Sequence, residues 1–465
     1  MMLPDAFCKR TRALLGDERW SVMERALGDE PTVSVRTNPW KSAGCCHHDD
    51  WQIDGMVPWC SDGLYLKERP VFTFDPLFHT GAYYVQEASS MFVSHVVRQL
   101  TQPIRDISLT VLDMCAAPGG KSTAILGALP HGSILFANEP IRLRANILAE
   151  NLSKFGYPNV VVTNNYPKDY ERSGLTFDIV LCDVPCSGEG MFRKDAVAIE
   201  EWSEEHVKRC SHLQREIVES AWKVLRPGGF LIYSTCTFNR EENEDNVQWM
   251  VDELGAEPWP IEHDGEWGIQ GSMTDDYAGP CYRFLPGFIR GEGLFMAVLR
   301  KKPSTEEGHK DHKATKKTIK LSKEEQELLS WMYVIRNENG WALKMVNNVY
   351  SAIRCDWMYE TDVALKHLRV LQAGVPLAMK KGKELKPDHR WTLSIARKPG
   401  VFPKIPLQYT QAIHYLRGES LVLNDAPMGY LLVCYQGETL GFVKNIGNRA
   451  NNLYPAEWRV KKVLQ

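Results

Sequence analysis

Asp183-Val-Pro-Cys186-Ser-Gly-Glu-Gly190 closes the apolar run Phe177-Asp-Ile-Val-Leu-Cys182, and that junction decides how the rest of the chain reads. The run has the length and polar boundaries of a buried strand. About fifty residues later a second run, Phe230-Leu-Ile-Tyr-Ser-Thr-Cys236, ends on another cysteine. If the two strands are neighbours in one parallel sheet, their ends lie only ~5 Å apart. Asp183, Cys186 and Cys236 would then share the crevice at the carboxyl edge, where open α/β sheets bind ligands. One active site with two thiols and a carboxylate is the expectation.

Working outward, residues 110–301 repeat a pattern of strand, glycine turn and helix. Strands are expected at 110–114, 133–137 and 160–163, and helices at 123–129, 141–155 and 200–225. The last helix sets Val207, Cys210, Leu213, Ile217, Ala221 and Leu225 on one face, and Pro227-Gly228-Gly229 should stop it. Alternation of this kind predicts an α/β fold with a doubly wound, Rossmann-like parallel sheet.

The turn after the first strand, Cys115-Ala-Ala-Pro-Gly-Gly-Lys-Ser122, is not a P-loop, because Cys115 stands where that motif needs glycine. It is not the GxGxxG fingerprint either. Gly119 and Gly120 would let backbone approach a ligand, and the following helix would offer free N–H groups to an anion. Glu139, at the end of the second strand, could accept two ribose hydroxyls. A nucleoside cofactor fits these features; so does a structural strand–turn–helix with a capping acid.

The thiols call for thiolate chemistry. A bridge is disfavoured in a reducing compartment. A zinc deaminase would need a cysteine where Glu189 stands. Covalent catalysis fits better: a thiolate adds to C6 of a pyrimidine, and C5 becomes an enamine carbon able to take a methyl group. Asp183, as a protonated or hydrogen-bonding carboxyl at N3, would stabilise the adduct.

The flanks set the context. At 465 residues, with 44% hydrophobic and 24% charged content, this is a globular chain expected to hold three or four domains. It has no membrane-length apolar run and no secretory signal, so a cytoplasmic location is expected. Residues 1–100 mix amphipathic and turn-rich pieces, with a helix over 7–27 that places Leu14, Leu15, Val22, Met23, Ala26 and Leu27 at helical spacing. Cys45-Cys46-His47-His48 lacks the second ligand pair of a zinc site, and no metal is expected. Net charge is −3, yet residues 1–300 carry 28 basic against 42 acidic groups and residues 301–465 carry 27 against 16. A basic half suits a polyanion, or is a solvated surface. Residues 366–404 hold ten Lys and Arg with Trp391 and Phe402 between them, either as stacking platforms or, more commonly, as core. A helix is expected over 324–335, then short strands including 421–423, 430–434 and 440–443, as in a small barrel or sandwich.

Asp183-Val-Pro-Cys186, Ser234-Thr-Cys236-Thr and Asp113-Met-Cys-Ala-Ala-Pro-Gly-Gly-Lys121 resemble the Sun (NSUN-type) family of RNA cytosine-C5 methyltransferases. The likeness begins at Val33-Ser-Val-Arg-Thr-Asn38 and Gly81-Ala-Tyr-Tyr-Val-Gln-Glu87 and runs to about residue 301. Leu440-Gly-Phe-Val-Lys-Asn-Ile-Gly and Asn452-Leu-Tyr-Pro455 are similar to the bacterial F-type ribosomal RNA branch, with its PUA-like C-terminal domain. The resemblance implies S-adenosylmethionine as methyl donor and a cytosine in RNA, small-subunit ribosomal RNA above all, as acceptor. It also implies Cys236 as nucleophile, Cys186 as the thiol that assists product release, and Asp183 between cofactor and base. Cys115, Ala116, Ala117, Pro118, Gly119, Gly120, Lys121 and Glu139 would hold the cofactor. Where the family places an aspartate near the adenine, this chain has Tyr166; Tyr166 stacking or an Asn165 hydrogen bond would replace it.

The implied order is an N-terminal α+β RNA-binding extension over 1–104 and a methyltransferase domain over 105–302. A basic linker over 303–323, a small intermediate domain over 324–390 and a PUA-like RNA-binding domain over 391–465 follow. The protein is expected to be monomeric. The rival readings are a transfer RNA enzyme, a ribosome-assembly protein with weak turnover, and a DNA enzyme that would survive loss of Cys236.

Overall fold

The computed structural model describes residues 3–41, 51–102, 108–304, 322–332, 340–382 and 384–462. Cys45 to His48 and most of the expected linker lie outside the described residues.

Five parallel strands form the centre, in the spatial order Leu225–Thr235, Phe177–Asp183, Thr110–Asp113, Ile134–Asn138, Val160–Thr163. The chain winds one way from Thr110–Asp113 and then the other way from Phe177–Asp183. The reversal between these two strands opens a crevice beyond their carboxyl ends. Successive residues of one strand face opposite sides. Val111 packs with Ile125, Leu148 and Leu152 of the helices Gly120–Ala128 and Arg142–Phe155. Leu112 packs on the other side with Val218 and Val247 of Glu204–Val224 and Glu244–Leu254. Helices on both faces explain why these strands read as continuous apolar runs rather than alternating ones.

Antiparallel strands extend the sheet at both edges. Leu294–Arg300 pairs with Leu225–Thr235. At the far edge Val370–Ala373, from within 324–390, pairs with Val160–Thr163. The rest of that stretch forms a separate four-stranded sheet, Trp341–Val346, Val349–Arg354, Val375–Lys381 and Glu384–Pro387. A second four-stranded sheet follows, Lys404–Pro406, Gly429–Tyr435, Glu438–Asn445 and Ala450–Asn452, with the helix Tyr409–Leu416 packed on it.

Several expectations change. Pro227-Gly228-Gly229 does not separate helix from strand: the strand begins at Leu225. Lys301 donates to the Gly229 carbonyl and accepts from the Gly228 N–H, so the neighbouring strand captures these residues into the sheet. Residues 421–423 form no strand; Leu421 makes only an isolated bridge to Ala450. Of the helix expected over 324–335 the described part is Lys323–Ser330, and residues 333–335 lie outside the described residues. Trp391 is core and Phe402 packs half-buried against it: Trp391 is fully buried, stacked on Phe442 with ring centres 5.9 Å apart and edge-on to Phe402. The N-terminal helix Asp5–Leu27 breaks at Gly16, leaving Val22 exposed, and buries Phe7 against Phe192 and Trp202. That contact props the segment following Cys186.

Candidate active site

Asp183 lies opposite Ser234 in the parallel pairing, so the two chain segments leave the sheet side by side. The Cys186 and Cys236 sulfurs are 3.0 Å apart, well beyond the ~2.05 Å of a disulfide. Both are free and partly exposed. The Cys236 N–H also points at the Cys186 sulfur, at 3.3 Å. The expected meeting of the two thiols is therefore what the fold produces.

Asp183 accepts hydrogen bonds on both oxygens, from Ser234 Oγ at 2.7 Å and Lys121 Nζ at 2.8 Å. Burial alone would lower the Lys121 pKa, but the Asp183 charge and hydrogen bond outweigh it and the net shift is upward. Both Asp183 oxygens therefore serve as acceptors here.

Beneath the thiols lies a polar network that the sequence reading missed. Glu189, buried, accepts from Thr237 Oγ1, Trp202 Nε1, Asn239 Nδ2 and the Phe238 and Asn239 N–H groups. It thereby ties the segment after Cys186 to the one after Cys236. Gly190 completes the tie by donating its N–H to the Cys236 carbonyl at 2.9 Å. A Cβ at Gly190 would sit 2.8 Å from Gly293 Cα and 3.0 Å from that carbonyl, so only glycine allows this approach. Glu242, fully buried, accepts from the Ser187 N–H and from Gln214. Burial pushes its pKa up to about 7. The Cys186 thiol is raised well above its ordinary value by its hydrogen bond to Cys236, by burial and by the Glu242 charge. The signal for Glu189 was its place in the Cys186 motif; nothing local marked Glu242.

Across the crevice, the turn from Cys115 to Gly120 leads into the helix Gly120–Ala128, whose first N–H groups have no intrahelical partners. Gly119 holds φ 113°, which a side-chained residue rarely adopts. Asp113 Oδ2 accepts from Ser122 Oγ at 2.6 Å, while Oδ1 is buried with no partner among the described residues. Burial raises its pKa to about 7. Glu139 is 1% exposed and accepts from the Ile141 N–H. Arg144, also missed, lies 3.4 Å from Glu139 and donates to the Ala117 carbonyl at 3.1 Å. These groups fit S-adenosylmethionine: an orphan acceptor suits its ammonium, Glu139 its ribose hydroxyls, and Arg144 or the helix end its carboxylate. Arg36 and Gln86, from the two N-terminal motifs, brace this wall: Arg36 donates to Gln86 Oε1 at 2.8 Å and to Thr123 Oγ1 at 2.6 Å.

Asn165 is tied to the end of the second strand, donating its N–H to Asn138 Oδ1 at 3.0 Å and accepting from Asn138 Nδ2 at 2.9 Å. The Asn165 amide is engaged with Asp169 and with the Arg369 N–H. Tyr166 is 70% exposed, so of the two it has the ring free for stacking. Among the described residues no His, Cys, Asp and Glu cluster could hold a metal ion, and no helix is long and apolar enough to cross a membrane.

Residues 104–300 match the family model of 16S rRNA methyltransferase RsmB/F. Residues 3–88 match the N-terminal domain of 16S rRNA methyltransferase RsmF, and residues 402–460 the methyltransferase RsmF PUA domain. The chain is 32% identical to ribosomal RNA small subunit methyltransferase F of Shewanella loihica, over 88% of this chain and 84% of that one. It is 30% identical to the protein of the same name from Serratia proteamaculans, over 98% and 96%. Among solved structures, a methyltransferase homolog protein from Pyrococcus horikoshii is similar, with a TM-score of 0.54 and 28% identity over 64% of this chain and 95% of that one.

Proposed function

Because the chain belongs to the RsmB/F family of 16S rRNA methyltransferases, we propose that it methylates C5 of a cytosine in small-subunit ribosomal RNA, with S-adenosylmethionine as donor. The observation that carries the chemistry is the 3.0 Å contact between Cys186 and Cys236 beside the Lys121–Asp183 ion pair. The Cys236 thiolate adds to C6, and C5 becomes an enamine carbon. S-adenosylmethionine, when bound, supplies an electrophilic methyl group at that carbon. A base then takes the C5 proton, its electron pair closes the C5–C6 double bond, and the C6–S bond breaks. Cys186 keeps its proton throughout and donates its S–H to the departing Cys236 sulfur. The Lys121–Asp183 pair offers the base edge one donor and one acceptor.

The cofactor is held by the 115–121 turn, Asp113, Glu139 and Arg144, with Tyr166 at the adenine end. A cytosine inside a helix cannot reach Cys236, so the target nucleotide must leave its stack. The reading extends to a monomer working in the cytoplasm; ten free cysteines among the described residues support a reducing compartment. The test is labelled methyl transfer from S-adenosylmethionine to naked 16S RNA and to assembled small subunits, with positions mapped by bisulfite sequencing. New 5-methylcytosine in 16S RNA is expected. Methylation confined to transfer RNA, or none, would overturn the assignment.

A further inference from the structure

Two sulfur atoms 3.0 Å apart compete for one proton, and their titrations belong to the pair. Covalent catalysis needs the proton on a particular one. The thiols are chemically alike, so the difference must come from what surrounds each.

Glu242 surrounds Cys186. Its Oε2 accepts from the Ser187 N–H at 3.0 Å and from Gln214 Nε2 at 2.7 Å. The same Gln214 nitrogen donates to the Pro185 carbonyl at 2.9 Å. The peptide groups on both sides of Cys186 are thus gripped by one carboxylate and one amide. Oε1 accepts from Asn239 Nδ2 at 2.8 Å, and Asn239 links onward to Glu189. The other titratable groups facing Glu242 are Glu189, Cys186, Cys210 and Tyr233, whose hydroxyl donates to the Glu242 carbonyl. Among the described residues no cation pairs with Glu242, although its side chain is fully buried. Cys236, by contrast, interacts with the Lys121 ammonium.

We propose that Glu242 is the positioning residue that makes the pair unequal: its carboxylate, fixed against the Cys186 turn, holds the shared proton on Cys186 and leaves Cys236 to attack. The inference rests on the methyltransferase reading above and deepens it. A buried carboxylate without a cation is costly, yet both oxygens accept here, so an amide of the same shape would turn its NH2 towards a donor. The charge and the three donors aimed at it belong to one arrangement. No proton is consumed: Cys186 S–H faces a Cys236 thiolate before C6 is attacked and again after the C6–S bond breaks. Because burial places the Glu242 transition near pH 7, the inequality should strengthen as pH rises through neutrality.

The experiment reads the thiols directly, in the free full-length protein and without RNA. Brief alkylation with limiting iodoacetamide, followed by peptide mass spectrometry, gives the ratio of Cys236 to Cys186 labelling. In the wild type Cys236 should dominate, with the ratio rising between pH 6 and 8. Glu242→Gln should lower the ratio roughly tenfold, the factor carried by one pKa unit, and flatten its pH dependence. Glu242→Asp should restore the preference. An unchanged ratio in folded Glu242→Gln protein overturns the proposal. If that variant does not fold, a wild-type Cys236 to Cys186 ratio near one at pH 8, where the Glu242 carboxylate is ionised, overturns it equally. Unequal thiols in a protein that never methylates RNA would instead count against the assigned function.

Discussion

At the scale of single residues, the proposed mechanism divides the work between the two cysteines. Cys236→Ala removes the proposed nucleophile and should abolish methyl transfer. Cys186→Ala leaves the attack intact but removes the S–H facing the departing sulfur, 3.0 Å away. It should trap a covalent RNA–protein adduct that persists on a denaturing gel. Free release of methylated RNA from that variant would count against the role given to Cys186. Asp183→Asn tests the ion pair: Lys121, only 14% exposed, would lose its charged partner. Turnover should fall on the order of a hundredfold, the usual effect of losing one oriented charge in such a site, with kcat affected more than the cofactor Kd.

Elements hold the thiols by close approach rather than by length. The segments after Cys186 and Cys236 meet at Gly190, whose neighbours leave no room for a Cβ. Gly190→Ala should therefore separate the sulfurs and slow single-turnover methylation at least tenfold, while cofactor binding, measured by calorimetry, stays within about twofold. The Cys236 segment is also anchored from the antiparallel edge. Arg283, in the strand Tyr282–Phe284, is fully buried, forms a bidentate pair with Glu244 and donates to the Phe238 carbonyl at 2.7 Å. Breaking such a pair strands a buried charge, at a cost of about 3–5 kcal/mol. Arg283→Met should lower unfolding stability by that order in a denaturant titration.

Across the whole molecule, the N-terminal piece, the methyltransferase sheet and the C-terminal sheet meet around two buried histidines. His79 lies 3.5 Å from the Tyr454 hydroxyl, and His389 packs edge-on against Tyr454 and Trp458. Burial lowers both pKa values to about 3, with Lys154 contributing the same way at each. A depressed pKa means the unfolded chain takes up protons first. The stability these residues contribute is therefore present above pH 6.5 and lost as pH falls toward 3, by about 1.4 kcal/mol per pH unit for each. Hydrogen exchange over that range should show residues 389–460 opening early, and His389→Phe, which removes one of the two titrating rings, should weaken the dependence. The strand Val370–Ala373 carries a related lesson. It completes the sheet edge beside Val160–Thr163, and the Arg369 N–H just before it occupies the Asn165 side chain. A stretch remote in sequence thus fixes the side chain of Asn165, which the proposed reading sets near the adenine.

Apolar runs, glycine turns and helical spacing were enough to read the parallel sheet, its crevice and the cysteines at its rim, because those signals are local and repeat along the chain. The 115–121 turn and Glu139 were legible for the same reason: each sits at a strand end, where topology dictates position. What only the tertiary structure decided was everything made by contact between distant segments. That includes the Glu189 tie, Glu242 under Cys186, Arg36 and Arg144 bracing the cofactor wall, and the burial of Trp391 within a basic stretch. Burial and pairing belong to the folded surface that surrounds a side chain, and that surface is built from residues tens of positions away.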